Sequence, residues 1–189
     1  MEKVYKRVSD AAITLTELML PSHSNFSGKI HGGYIMSLMD QIAFACASKH
    51  SQKYCVTAAV ERVDFLNPID VGELVTLKAS INYVGNTSMV VGIRVEAENI
   101  LEGSCKHCNS SYFTMVAKDK SGKNAQVPGL ILESKEEVRR YVTAILRMQE
   151  KKHQHPAFDE KTFEMADYAF LLRDKPIKLQ LGEGENLEI

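Results

Sequence analysis

The chain lacks an excess of either charge: 23 lysines and arginines stand against 24 aspartates and glutamates, a formal net charge of -1. No overall field therefore draws it onto nucleic acid or anionic lipid, and any partner has to be recognised locally. Long apolar runs are missing as well. The most apolar stretch, Tyr34 to Ala47, is interrupted by Asp40 and falls short of the roughly 20 residues a membrane helix needs. The first ten residues, MEKVYKRVSD, have neither the apolar centre nor the small-residue cleavage site of a secretory leader. The expectation is a soluble, cytoplasmic protein with no membrane and no nucleic-acid partner. Cysteine is scarce too. Its four residues, Cys46, Cys55, Cys105 and Cys108, read as reduced thiols. Cys105 and Cys108 have the spacing of half a zinc site, but the second half is missing, and on a strand positions three apart face opposite sides. No metal is expected. Internal repeats and low-complexity tracts are also absent.

What is present is one core's worth of apolar residues, 44% of 189, which favours one domain with an appendage over two domains. A first strand is expected in DAAITLTELM, where Ile13 and Leu15 alternate with Thr14 and Thr16. PSHSNFSGKIHGG then reads as a loop leading into a helix from about Tyr34 to His50. That helix carries apolar residues on every side until Ser48, so it is expected to be buried all round at the centre of the fold. Only strand-like runs follow. One face takes Val75, Leu77, Ala79, Ile81 and Tyr83, and in the next run Met89, Val91, Ile93, Val95 and Ala97, with turn residues between. A buried helix and a small antiparallel sheet each need a partner to bury against, which suggests an α+β fold with the sheet curved around the helix. Its open edge predicts a dimer.

A second segment opens with a capping box, Ser134 and Glu137, before an amphipathic helix over 134–152. Val138, Tyr141, Val142, Ile145 and Met148 are read as its packed side. Arg139, Arg140, Arg147 and Lys151 are read as the other side, either solvated or touching a phosphate. In the tail, FEMADYAFLLRD reads as a short helix and IKLQL as a strand. The division expected is 1–130 for the main domain and 131–189 for a C-terminal extension.

The stretch HGGYIMSLMD raises the chemical question, because it sets a lone carboxylate, Asp40, inside an apolar helix. A buried carboxylate needs a partner or a task. It is either satisfied by a neighbour such as Ser37 or acts as a catalytic base. Gly32 and Gly33 at the helix start would let a ligand reach free backbone N–H groups, which in outline is an oxyanion site. Asp40 nevertheless lies about 10 Å along the axis from Gly33. Either the chain bends back or two subunits share the site.

The strings HSNFSGKIHGGYIMSLMDQIAFACASKH, VERVDFLNPIDVGELVTLKASINYVGNTSMVVGIRVEAEN and HCNSSYFTMVAKDKSGKNAQVPGL resemble the cytosolic acyl-CoA thioesterases of the hotdog fold. The resemblance runs from about Leu18 to Leu130. It implies a long central helix wrapped by a curved antiparallel sheet, in homodimers that assemble into hexamers. It also implies acyl-CoA bound between subunits, no cofactor beyond the coenzyme A of the substrate, and hydrolysis of fatty acyl-CoA to fatty acid and CoA. By the same resemblance Asp40 is the general base or nucleophile and Asn25 orients the water or carbonyl. Gly32 or Gly33 supplies the oxyanion donor, and Asn86, Thr87, Ser88 and Arg94, together with His107 and Asn109, resemble the region that contacts the CoA part. Many members read Met-Asp-Glu where this chain has Met39, Asp40 and Gln41. Two other readings stay open: a non-catalytic acyl-CoA sensor, and a dehydratase or hydratase of the same fold that would use His31.

Overall fold

Alternating apolar residues become strands because a sheet has two faces, and here one of them closes on a helix. The computed structural model describes residues 4–61 and 63–153. In chain order these are β1 (Tyr5–Arg7), α1 (Val8–Ala11), β2 (Ile13–Leu18), a short 3-10 turn (Pro21–His23), α2 (Gly32–Ser51), β3 (Tyr54–Val60), β4 (Leu74–Val84), β5 (Ser88–Asn99), β6 (Ser104–Lys118), β7 (Gly129–Ile131) and α3 (Lys135–His153). Five strands form one antiparallel sheet in the order β2-β4-β5-β6-β3. The sheet curls as a half-barrel around the central helix, with a further helix after it, the arrangement the resemblance implies.

The alternation predicts β5 correctly: Met89, Val91, Ile93, Val95 and Ala97 are each no more than 3% exposed. They face α2, whose Ile35, Met39, Ile42, Ala43, Cys46 and Ala47 complete the core. Register shifts at Ala58, Asn82 and Cys108 bend the three strand pairs that contain them. The shift in β4 corrects one expectation. Past Asn82 the faces exchange, so Tyr83 pairs with Val90 and its ring meets Tyr141 of α3, with centroids 5.2 Å apart, instead of joining the core. Cys105 is exposed and Cys108 buried, on opposite sides as their spacing on a strand requires.

Two further expectations change. Helix α2 is not buried all round in the single chain: Met36, Ser37, Asp40, Gln41 and Phe44 form an exposed stripe along it. Met36 and Phe44 are apolar, so sequence pattern alone could not mark this side as the uncovered one. Helix α3 has the expected capping box, with Glu137 N–H donating to Ser134 Oγ and Ser134 N–H donating to the Glu137 carboxylate. Its facing meets the expectation only in part: Tyr141 and Ile145 of the expected packed side are partly buried. Val138, Val142 and Leu146 are exposed, whereas Ala144 is buried and Arg147 lies 3.5 Å over the ring of Tyr112. The Arg147 stem covers part of the sheet's outer face, which is partly polar. β1 pairs with β7 in parallel, and a side chain at Gly129 would meet the Tyr5 ring at 2.5 Å. No described helix is long and apolar enough to cross a membrane. The helix and strand expected in the tail lie outside the described residues.

His50, at the end of α2, is fully buried. Its Nε2 is 3.1 Å from the Pro128 carbonyl oxygen, and its Nδ1 has no partner. The neutral ring therefore donates from Nε2, and adding a proton at Nδ1 would bury a cation with nothing to accept the new N–H. Burial is the main reason its pKa is lowered, with nearby Lys6 acting the same way against the Pro128 bond and Asp10. A group that binds its proton less tightly folded than unfolded contributes stability above its unfolded pKa and loses it as pH falls through the folded value. The melting temperature of the wild type is expected to fall more steeply below about pH 6 than that of His50→Gln. Parallel pH profiles in thermal denaturation would contradict this.

Candidate active site

Asp40 is carried on the exposed stripe of α2, two turns past the helix start. Opposite it is Thr57 of β3, an edge strand, immediately before the irregularity at Ala58. The Thr57 hydroxyl donates to Asp40 Oδ1 at 2.6 Å. Met115 Sδ is 3.5 Å from the same hydroxyl, but one proton serves one acceptor well, and the charged oxygen is nearer and stronger. Asp40 Oδ2 makes no hydrogen bond among the described residues. One oxygen is thus fixed and the other is free to take a proton or attack a carbonyl carbon. Asp40 is exposed in the single chain. That corrects the premise of a carboxylate hidden in the core, and it follows from the stripe on which the residue lies.

The loop before α2 is tied down locally. The His23 ring stacks on Tyr34 with centroids 3.9 Å apart, the Tyr34 hydroxyl donates to Glu17, and His31 N–H donates to the His23 carbonyl. Asn25 closes its own turn. Its Oδ1 accepts from Ser27 N–H, Ser27 Oγ–H and Lys29 N–H. Its Nδ2 donates to nothing among the described residues and is available as a donor.

His31 is the N-cap of α2, and its Nδ1 accepts from Gly33 N–H at 3.0 Å. That occupies the Gly33 donor, while the N–H groups of Tyr34 and Ile35 go to the His31 carbonyl. Gly32 N–H is left as the first-turn donor without a partner among the described residues. A side chain at Gly32 would press on the Phe65 ring at 3.2 Å. Within one chain Gly32 and Asp40 are about 12 Å apart along the helix axis, so the structure brings Asp40 to Thr57 but does not bring it to the glycines.

Asn86 and Thr87 sit in the β4–β5 turn, where their carbonyls accept from Val127 and Ala117 N–H, while the Ser88 carbonyl accepts from Gly85 N–H. Arg94 is on the opposite, outer face of the sheet, paired with Glu96 at 2.7 Å. His107 Nε2 lies 2.9 Å from both the Asn109 carbonyl oxygen and Ser110 Oγ, and the Asn109 side chain donates to the Asp64 carbonyl. Thr57 is the residue sequence reading missed. Threonine is common on strands and TAA has no signature, so only the fold pairs it with Asp40.

A family model described as the thioesterase superfamily matches residues 27–104. Among curated relatives, protein VdlD of Helicobacter pylori is 42% identical over 71% of this chain and 77% of its own. The uncharacterized acyl-CoA thioester hydrolase YkhA of Bacillus subtilis is 33% identical over 76% and 84%. Among solved structures, an apo-hexameric acyl-CoA thioesterase superposes with TM-score 0.79 at 35% identity, covering 82% of this chain and 99% of that one. An acyl-CoA hydrolase of Staphylococcus aureus, solved with butyryl coenzyme A, coenzyme A and coenzyme A disulfide, gives TM-score 0.74 at 31% identity over 79% and 92%. That enzyme has also been solved with one asparagine, one aspartate and one threonine each changed to alanine, the three lying fifteen and then seventeen positions apart.

Proposed function

The chain belongs to the thioesterase superfamily of hotdog fold, among acyl-CoA thioester hydrolases, and from that premise we propose that it hydrolyses fatty acyl-CoA in the cytoplasm with Asp40 as general base. The observation that carries this reading is the Asp40 carboxylate, pinned through one oxygen by Thr57 and free at the other. Asp40 takes a proton from water, and the hydroxide attacks the thioester carbonyl carbon. The negative charge that forms on the carbonyl oxygen is met by Gly32 N–H at the positive end of α2. Collapse breaks the C–S bond, and the CoA thiolate leaves with the proton. Asn25 uses its free amide N–H to orient the water or the carbonyl. The turn at Asn86, Thr87 and Ser88 meets the coenzyme part.

Asn25, Asp40 and Thr57 lie fifteen and seventeen positions apart, the spacing of the three residues varied in the S. aureus hydrolase. That match supports a shared role for the trio. The separation between Gly32 and Asp40 within one chain supports a site built from two protomers, Asp40 of one and the glycine loop of the other. The exposed stripe of α2 and the open edge of β3 are the surfaces such a dimer would cover, and the hexameric neighbour supports further assembly of dimers.

The test is free-thiol release from a panel of acyl-CoAs from acetyl to palmitoyl. Catalytic release is expected. Binding without turnover, or hydration of an enoyl-CoA with no thiol released, would overturn the assignment. Thr57→Val is expected to lower kcat at least about tenfold, since a hydrogen bond to a charged group contributes roughly 1.5–3 kcal/mol and about 1.4 kcal/mol is one decade of rate. Thr57→Ser, which keeps the hydroxyl, is expected to retain most of the activity. Equal loss in both variants would remove the hydrogen bond from the mechanism.

A further inference from the structure

The outer face of the sheet, opposite the Asp40–Thr57 pair, contains a cleft of about 390 Å³ walled on one side by α3. Its floor is small and polar. Gly92 pairs with Ser80 across β4 and β5, and a side chain at Gly92 would come within 2.2 Å of Asn82 Nδ2. Asn82 is only 5% exposed. Its Oδ1 accepts from Ser80 Oγ at 3.2 Å, while its Nδ2 donates to nothing among the described residues. Asn82 lines the cleft and its amide nitrogen is not sealed off from it, so that nitrogen can donate to an occupant.

The walls share a charge pattern. On the sheet side Glu96 holds Lys78 at 2.6 Å and Arg94 at 2.7 Å. On the α3 side Glu136 holds Arg139 at 2.6 Å and Arg140 at 2.9 Å, and Arg140 reaches Ser80 Oγ at 3.4 Å. Each carboxylate, kept ionised with a pKa of about 2 by its two cations, fixes two positive groups and neutralises one. Four cations against two anions leave two positive charges facing a small volume. Beside the cleft, Arg147 lies over the ring of Tyr112, a lining residue, and its Nη1 is buried without a hydrogen-bond partner.

We propose that this cleft binds the phosphate group of a small phosphate ester, whose two negative charges balance the surplus and whose oxygens accept from Asn82 Nδ2 and the guanidinium groups. Such a group reaches the cleft either on a free nucleotide or on the nucleotide portion of coenzyme A. The site stands on the opposite face from Asp40, and its test does not depend on turnover.

Calorimetric titration of the full chain with inorganic phosphate and with adenosine 3′,5′-bisphosphate is expected to give saturable, salt-sensitive binding, tighter for the bisphosphate. The double variant Lys78→Gln/Arg140→Gln is expected to weaken it at least tenfold with little change in melting temperature. No binding, or equal binding by the variant, overturns the proposal. A second measurement needs no variant. On adding phosphate to the wild type, amide NMR shifts are expected at the Asn82 side chain, Ser80 and Gly92, and shifts confined elsewhere overturn it. The source of the phosphate follows from hydrolysis of acyl-CoA compared with acyl-pantetheine. A KM raised by the double variant for acyl-CoA alone supports the coenzyme's own nucleotide. An unchanged KM for both, with binding lost, supports a free nucleotide.

Discussion

Replacing Asp40 by asparagine is expected to lower thioester hydrolysis by at least about a hundredfold while leaving the fold intact. The amide is nearly isosteric with the carboxylate and can still accept from the Thr57 hydroxyl through its Oδ1, so the geometry at 2.6 Å survives. What disappears is the capacity to take a proton from water or to attack a carbonyl carbon. Because Asp40 is exposed and outside the core, the melting temperature is expected to stay within a degree or two of the wild type, as surface substitutions change stability by roughly 0.5 kcal/mol or less. The measurement is kcat for thiol release beside a melting curve of the same preparation. An unchanged kcat would refute the assignment of Asp40, and a collapsed melting curve would mean that the residue serves folding instead.

The second large effect concerns the core. Phe113 of β6 is 1% exposed, stands opposite Val91 of β5 and Val60 of β3, and is the largest fully buried side chain among the described residues. Phe113→Ala is expected to destabilise the protein by about 3–5 kcal/mol, through lost transfer free energy and the cavity left behind. For a chain of this size each kcal/mol shifts the melting temperature by roughly 2–4 °C, so a drop of about 6–20 °C is expected. Urea or thermal denaturation reads it. A loss below about 1 kcal/mol would mean that α2 and the sheet close over the gap, contrary to a rigidly packed interior.

Sequence pattern was most informative where one periodicity meets one partner. β5 alternates cleanly because its inner side chains all face α2, and its inward residues follow from the period-two rule. The pattern fails where a face depends on something further along the chain. Asn82 adds one residue to β4 and turns Tyr83 outward, an event no local window registers. β1 and β7 are three residues each, and their parallel pairing joins chain segments more than a hundred positions apart. Helix α3 carries both an apolar and a basic side. The packed side draws on both, Tyr141 against Tyr83 and Arg147 over Tyr112, a mixture set by the outer face of the sheet and not by either side alone. At the site, Asp40, Asn25 and the two glycines stand out as residue types in an unusual setting. The occupation of Gly33 N–H by His31 and the bond from Thr57 are facts of three-dimensional proximity that composition does not carry.

The carboxylate and the threonine occupy the rim of the subunit, whereas the groups that hold the chain together, Phe113 and the inner side of α2, lie behind them. Chemistry and cohesion are therefore inherited separately. Changes at Met36 or Phe44, beside Asp40 on the same open stripe, leave the interior unaltered. Substitutions along this stripe can reshape the surface beside Asp40 while the packing inside the subunit stays as it is.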